Sequence, residues 1–189
     1  MDLFPIFLKL ESRRCLVVGA GPVGVQKIGG LLNAGAEVVV VDPSPSVQFQ
    51  ELFGSRVKLR EREYVPSDLN DVYLAIAATS DESLNQQIYD EAQRRSILVN
   101  VVDVPPLCDF YYGAVVRRGA LVVAVSSQGE SPHLAQRVRD EISDLLPEEV
   151  EEIVKYIGEE RRRILREHAS GPERLQLLRD LVYPRRVSA

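Results

Sequence analysis

The chain has no tryptophan, and its five phenylalanines and seven tyrosines make up only 6% of 189 residues. Aromatic platforms for stacking bases are therefore scarce. A formal net charge of −5 also lacks the basic excess that binding to a phosphate backbone demands. Cysteine occurs only at Cys15 and Cys108, too few for a disulfide framework or a cysteine-based metal site, so a reducing, cytoplasmic setting is expected. The two histidines, His133 and His168, stand far apart, and no metal site can be read from them. No apolar run approaches the roughly 20 residues of a membrane span. Residues 1–8 are apolar but lack the basic region and small-residue cleavage site of a secretory leader. No nucleic-acid partner and no membrane association is expected. What remains is 45% hydrophobic and 27% charged, enough for one ordinary domain and a smaller appendage.

Glycine is placed where it matters. Cys15-Leu-Val-Val18 reads as a short buried strand, and Gly19, Gly21 and Gly24 follow as G-x-G-x-x-G before a helix expected over residues 23–34. Gly19 suits a tight turn, Gly21 a close approach of backbone to a pyrophosphate, and Gly24 close packing of helix on strand. The helix N-terminus, with Pro22 and Val23, offers free N–H groups to the anion. A second apolar strand over 37–41 ends at Asp42, 18 residues past Gly24. An acid at about that distance accepts hydrogen bonds from the adenosine ribose. Asp42 argues for NAD over NADP, since a carboxylate repels a 2′-phosphate, although a nearby arginine could reverse this. Pro43 begins the turn that follows.

Further along, residues 47–53 suit a short helix, 57–61 a strand and 66–70 a loop. Residues 72–78 form a near-continuous apolar run, as a strand covered on both faces should. Thr79-Ser80-Asp81 supplies a helix cap beside the expected cofactor, and a fifth strand over 97–102, with Asn100 and Val102, ends at Asp103. This alternation predicts a Rossmann-type, doubly wound parallel α/β sheet that binds NAD over residues 1–112. A second region, 113–147, pairs strands 114–116 and 121–125 across a turn at 117–120, then runs a helix from Ser131-Pro132 to about Leu146. A helical region, 148–189, completes the chain, with a last helix around 175–182. A hairpin and amphipathic helices cannot make an independent core. The middle region is expected to mediate homodimerisation.

Asp103, at the carboxyl end of a parallel strand where a nicotinamide should lie, is the sharpest candidate for a general base. As a plain turn cap it has about equal claim on position alone. Thr79, Ser80 and Asp81 are candidates for cofactor contact, as is Val102. Asn100, Ser126, Ser127, His133, Arg117 and Arg137 are candidates for substrate contact, each with a surface or capping role as the alternative.

Several motifs together carry a family resemblance over essentially the whole chain: Leu3-Phe-Pro-Ile-Phe7, Val17-Val-Gly-Ala-Gly21 with Lys27, Leu32-Asn-Ala-Gly-Ala36, Ala75-Ile-Ala-Ala-Thr-Ser-Asp81, Asn100-Val-Val-Asp103 and Val123-Ala-Val-Ser-Ser127 with Ser131-Pro132. The chain resembles the precorrin-2 dehydrogenase/sirohydrochlorin ferrochelatase family, the NAD-dependent part of siroheme synthases, in its stand-alone form. The resemblance implies oxidation of precorrin-2 to sirohydrochlorin with NAD⁺ and, in some members, insertion of Fe²⁺ to give siroheme. It implies that Asp103 serves both reactions, that Ser127 occupies a position phosphorylated in some members, and that the chain forms an intertwined homodimer. It departs from the family at Gln128, where glycine is common, and at His133, where an apolar residue is frequent. Another NAD-dependent oxidoreductase and a non-catalytic NAD-sensing module are the alternatives.

Overall fold

The computed structural model describes residues 2–182. Contacts divide the chain into two compact units, Met1–Tyr111 and Tyr112–Ala189. In the first, strands β1 (Arg14–Val18), β2 (Glu37–Val41), β3 (Lys58–Arg60), β4 (Leu74–Ala77) and β5 (Leu98–Val101) form one sheet in the order β3-β2-β1-β4-β5. Every pairing is parallel. The chain winds outward from β1 to β3, then returns to β4 on the other side of β1. That reversal opens a crevice at the carboxyl ends of β1 and β4.

Side chains alternate across the sheet, and both faces are covered. Cys15, Val17, Val38, Val40, Leu74 and Ile76 face helices α1 (Pro22–Asn33) and α2 (Val47–Phe53), which supply Val25, Ile28, Leu31, Phe49 and Phe53. Leu16, Val18, Val39, Val41, Ala75, Ala77, Val99 and Val101 face the other way, against Ile88 and Ala92 of helix α3 (Glu82–Arg94). Burial on both faces explains why these strands read as nearly unbroken apolar runs. It also pushes the Cys15 thiol up to about 11, leaving it protonated. The expected doubly wound sheet is therefore present.

Two local readings change. The segment expected as a loop at 66–70 contains a 3₁₀ turn, Pro66–Leu69, set by the buried Asp68. The Asp68 carboxylate accepts hydrogen bonds from Arg60, from Arg62 at 2.6 and 2.8 Å, and from the Val65 N–H at 2.9 Å. Burial alone would raise its pKa, but the hydrogen bonds from Arg62, Val65 and Arg60 outweigh burial and bring it to about 2.

In the second unit, β6 (Ala114–Arg118) pairs antiparallel with β7 (Leu121–Val125). Arg117 and Arg118 thus lie in the strand, opposite Val122 and Leu121, and not in the turn. Only Gly119 and Ala120 connect the strands, and Gly119 takes the left-handed φ of +55° that a tight connection needs. Helices α4 (Pro132–Leu145), α5 (Val150–Glu167) and α6 (Pro172–Val182) follow. Arg118 donates to Ser143 Oγ at 2.8 Å, tying the hairpin to α4. This unit leaves much of its apolar surface bare: Leu145 is 82% exposed, Leu175 68% and Tyr156 59%, and Val115, Leu134 and Ile153 are also exposed. The part of the expected C-terminal region beyond residue 182 lies outside the described residues.

Candidate active site

The crevice is a cleft of about 770 Å³. Gly19, Gly21, Pro22 and Val23 line one wall, Asp42 and Pro43 a second, and Thr79, Ser80 and Asp81 a third. Sequence reasoning had singled out all nine, and the fold brings them together. Gly24 and Val102 are not part of the lining. Gly24 serves packing: a Cβ there would lie 2.0 Å from the Gly19 carbonyl oxygen. Val102 packs against the core on the α1 side of the sheet.

The glycines divide the work. Gly19 has a φ of +99°, and a Cβ on it would lie 2.4 Å from the Ala78 carbonyl oxygen, so the turn admits no side chain there. Gly21 is different, because a Cβ on it would meet nothing within 4 Å. Its missing side chain leaves room on the cleft side, at the N-cap of α1. No side chain caps that helix, so its first N–H groups remain available to an anion. A cleft with an uncapped helix N-terminus and an open Cα fits the pyrophosphate of a dinucleotide.

Asp42 is held by the glycine turn itself. Its carboxylate accepts the Ala20 N–H at 2.6 Å and the Ser44 N–H at 2.7 Å. A carboxylate has about four acceptor sites, so these two bonds leave capacity for the ribose hydroxyls. Ser46 donates to the Ala20 carbonyl at 2.8 Å and also caps α2 by accepting the Phe49 N–H at 3.2 Å. Ala20 is thereby gripped from both sides by the segment after β2. The arginines that could have reversed the cofactor preference, Arg60 and Arg62, are both bound to Asp68.

On the third wall, Asp81 caps α3 by accepting the Leu84 N–H at 3.0 Å. Thr79 Oγ1 donates to Asn85 Oδ1 at 2.8 Å, and the Asn85 amide donates back to the Thr79 carbonyl at 3.0 Å. Asn85 is buried. Sequence reasoning missed this clamp and also missed Ser46. The available signal for Ser46 was a polar residue at a helix start; Asn85, already inside α3, gave none.

Asp103 is exposed, one residue past Val102, and adopts a left-handed φ of +61°. Few residues other than glycine, asparagine and aspartate tolerate that conformation. The loop carrying it is fixed at both ends. The Val102 N–H donates to Ala77 on β4, and the Val104 N–H to Val101. On the return, Asp109 donates its N–H to the Val99 carbonyl and accepts the Val99 N–H on Oδ2 at 2.9 Å. Asn100, a candidate substrate contact, turns out to be buried, with its amide donating to the Phe110 carbonyl at 2.8 Å and to Cys108 Sγ at 3.3 Å. Its amide N–H groups pin the loop from within.

In the second unit, Ser126 Oγ accepts the Gln128 N–H at 3.1 Å and Ser127 Oγ accepts the Ser131 N–H at 3.0 Å. Gln128 and Gly129 both take positive φ, +55° and +91°. His133 and Arg117 are exposed, and Arg137 pairs with Glu141 at 2.8 Å. Among the described residues no group of three or more histidine, cysteine or acidic side chains could hold a metal ion, and no helix is long and apolar enough to cross a membrane.

Residues 6–114 match the family described as "Putative NAD(P)-binding", and residues 118–145 match the "Sirohaem biosynthesis protein central" family. The chain belongs to this NAD(P)-binding family of siroheme-biosynthesis proteins. The resemblance read from the motifs is thus upheld. Siroheme synthase 2 of Klebsiella pneumoniae subsp. pneumoniae is 41% identical over 92% of the chain and 38% of its own length. Siroheme synthase of Nitrosococcus oceani is 39% identical over 87% of the chain and 35% of its own length. The chain therefore spans little more than a third of these relatives. Among solved structures, SirC, a precorrin-2 dehydrogenase, superposes with a TM-score of 0.79 at 26% identity, covering 95% of this chain and 89% of that one.

Proposed function

We propose that the chain oxidises precorrin-2 to sirohydrochlorin with NAD⁺ and that Asp103 is the base of this reaction. The observation that carries the proposal is an exposed carboxylate at the carboxyl end of β5. It is held in a left-handed conformation on a loop pinned at both ends, in the same unit as a cleft suited to a dinucleotide. Non-glycine residues held in such conformations concentrate where position matters more than backbone ease. NAD⁺ supplies the hydride acceptor. Oxidation removes a hydride and a proton from the substrate, and Asp103 takes the proton. Asp42, with acceptor capacity to spare, holds the ribose, while Thr79, Ser80 and Asp81 close over the other half of the cofactor.

The same carboxylate suits Fe²⁺ insertion as a second step. The tetrapyrrole supplies the metal's nitrogen ligands, and two pyrrole protons must leave as iron enters. Arg117, Ser126 and His133 are the open candidates for the substrate's carboxylates, with Ser127 and Arg137 beside them. Arg137 already shares Glu141. We assign the bare apolar surface of the second unit to a homodimer interface, and the two free thiols to a reducing cytoplasm.

The test is anaerobic incubation with enzymatically generated precorrin-2 and NAD⁺, following NADH and the sirohydrochlorin spectrum. Asp103→Asn, which keeps shape and tolerates the left-handed backbone, should lose about 100-fold or more in rate while binding NAD⁺ normally. Full activity in Asp103→Asn would remove the base from the mechanism.

A further inference from the structure

The proposed reaction makes no use of Asp68, whose side chain has 0% exposure. Its Oδ1 accepts hydrogen bonds from Arg60 and, at 2.6 Å, from Arg62. Its Oδ2 accepts from Arg62 at 2.8 Å and from the Val65 N–H at 2.9 Å. These bonds fill the roughly four acceptor sites of a carboxylate. Arg62 engages it with two N–H donors, the fork that fixes a guanidinium most firmly. Asp68 is itself fixed, because its own N–H donates to the Val65 carbonyl at 2.8 Å.

Both arginines belong to the stretch of chain that borders the cleft. Arg60 stands opposite Val41 in the pairing of β2 with β3, and its carbonyl accepts the Asp42 N–H at 3.3 Å. Val41 and Asp42 line the cleft. Leu59 packs on the α1 side of the sheet and Val41 on the α3 side, so Arg60, next after Leu59 and in register with Val41, lies on the α3 side. Arg62 precedes Glu63 and Tyr64, which also line the cleft, and donates to the Glu63 carbonyl at 2.7 Å. Neither arginine is part of the lining. Paired strands run about 4.8 Å apart, a separation that an arginine side chain spans. Their tie to Asp68, and not the course of the backbone, keeps the two guanidinium groups off the wall that carries Asp42.

Resting on the reading of this cleft as the NAD⁺ site, we propose that Asp68 is a specificity-determining residue that excludes a 2′-phosphorylated dinucleotide by withholding Arg60 and Arg62. A 2′-phosphate requires cationic donors, for which arginine forks are best suited. Asp42 and Glu63 offer it only negative charge. Two arginines set against Glu61, Glu63 and Asp68 leave this corner of the molecule net negative. Asp42 repels the phosphate directly, and Asp68 removes the compensating cations without touching the cofactor.

The test is titration calorimetry of NAD⁺ and NADP⁺, which needs no tetrapyrrole. Asp68→Asn can keep the Val65 bond but has no charge and a single acceptor oxygen for two guanidinium groups. It should tighten NADP⁺ about tenfold, the worth of one solvated charge-assisted hydrogen bond, with NAD⁺ affinity little changed. The gain should fade as salt rises. Adding Arg60→Gln and Arg62→Gln to Asp68→Asn should return NADP⁺ affinity to the parental level. A purely structural Asp68 would weaken both nucleotides alike and leave their ratio unmoved, which would overturn the proposal. A gain that persists in the triple variant would overturn it too, since the arginines would not be its source. Arg60→Gln alone, with Asp68 still forked to Arg62, gives an independent check on a cluster that stays paired. It should leave both affinities unchanged, and a loss of NADP⁺ affinity would mean that Arg60 already reaches the phosphate, against the proposal. Parent protein that binds neither nucleotide defeats the cleft reading and this proposal together. Binding of NAD⁺ without NADH formation from precorrin-2 defeats the dehydrogenase reading, and the NAD⁺ to NADP⁺ ratio still decides the role of Asp68.

Discussion

Gly21 and Gly24 are two residues of one motif, yet the structure assigns them opposite vulnerabilities. At Gly21 the backbone is extended, with φ −72° and ψ −175°, a conformation open to any residue, and a Cβ would meet nothing within 4 Å. Gly21→Ala therefore has little effect on folding. The entropy removed from the unfolded chain, about 0.4–1 kcal/mol, is offset by alanine's weaker N-capping, a loss of similar size. The added methyl instead occupies the space through which a pyrophosphate approaches the helix N-terminus. NAD⁺ affinity should fall at least tenfold, about 1.4 kcal/mol. Gly24→Ala does the reverse. Its Cβ would lie 2.0 Å from the Gly19 carbonyl oxygen, a backbone atom with no rotamer to yield. Helix and turn must separate, at about 1–3 kcal/mol or more for overpacking, which lowers Tm by about 2–4 °C per kcal/mol in a chain of this length. Calorimetric unfolding and titration with NAD⁺ distinguish the two. If Gly21→Ala binds NAD⁺ as tightly as the parent with Tm unchanged, no pyrophosphate passes over Gly21 and the cleft is not the cofactor site.

Two further predictions concern stability and assembly. The Asp68 carboxyl, at about 2 in the folded chain against 3.8 ordinarily, is depressed, so its stabilisation is complete above pH ~4 and is lost as pH falls toward 2. Urea unfolding over that range should reveal a loss of roughly 2 kcal/mol at most, reduced by solvent around Arg60 and Arg62; Asp68→Asn should flatten it, and an unaltered acid limb would refute the role. Sedimentation should find a dimer that Leu134→Asp with Tyr156→Asp converts to monomer; a wild-type monomer would leave their exposure without a partner.

The nucleotide half of the site was legible because its determinants are local. Strand, glycines, helix and acid lie within residues 14–42, and each follows from spacing. The same holds for Asp81, a cap four residues past the end of β4. What sequence reading missed is non-local or reciprocal. Asn85 looks like any helical polar residue until its amide meets Thr79. Asn100 sits in a motif that points to ligand, but tertiary folding spends its amide on Phe110 and Cys108. Arg117 and Arg118 flank a glycine, which suggested a turn, whereas the pairing with Val122 and Leu121 carries the strand through both.

The segment that returns past Asp103 has a second consequence, for solubility. β5 ends the sheet, and its outer backbone groups would otherwise form an open template for another chain. Asp109 fills the Val99 position with one backbone and one side-chain hydrogen bond, and Asn100 bridges antiparallel to Cys108. At the opposite margin β3 is only three residues long and carries Lys58 and Arg60. Neither border invites strand addition, so the sheet is closed to growth on both sides. The pin that anchors the Asp103 loop also keeps the fold from polymerising through its edge.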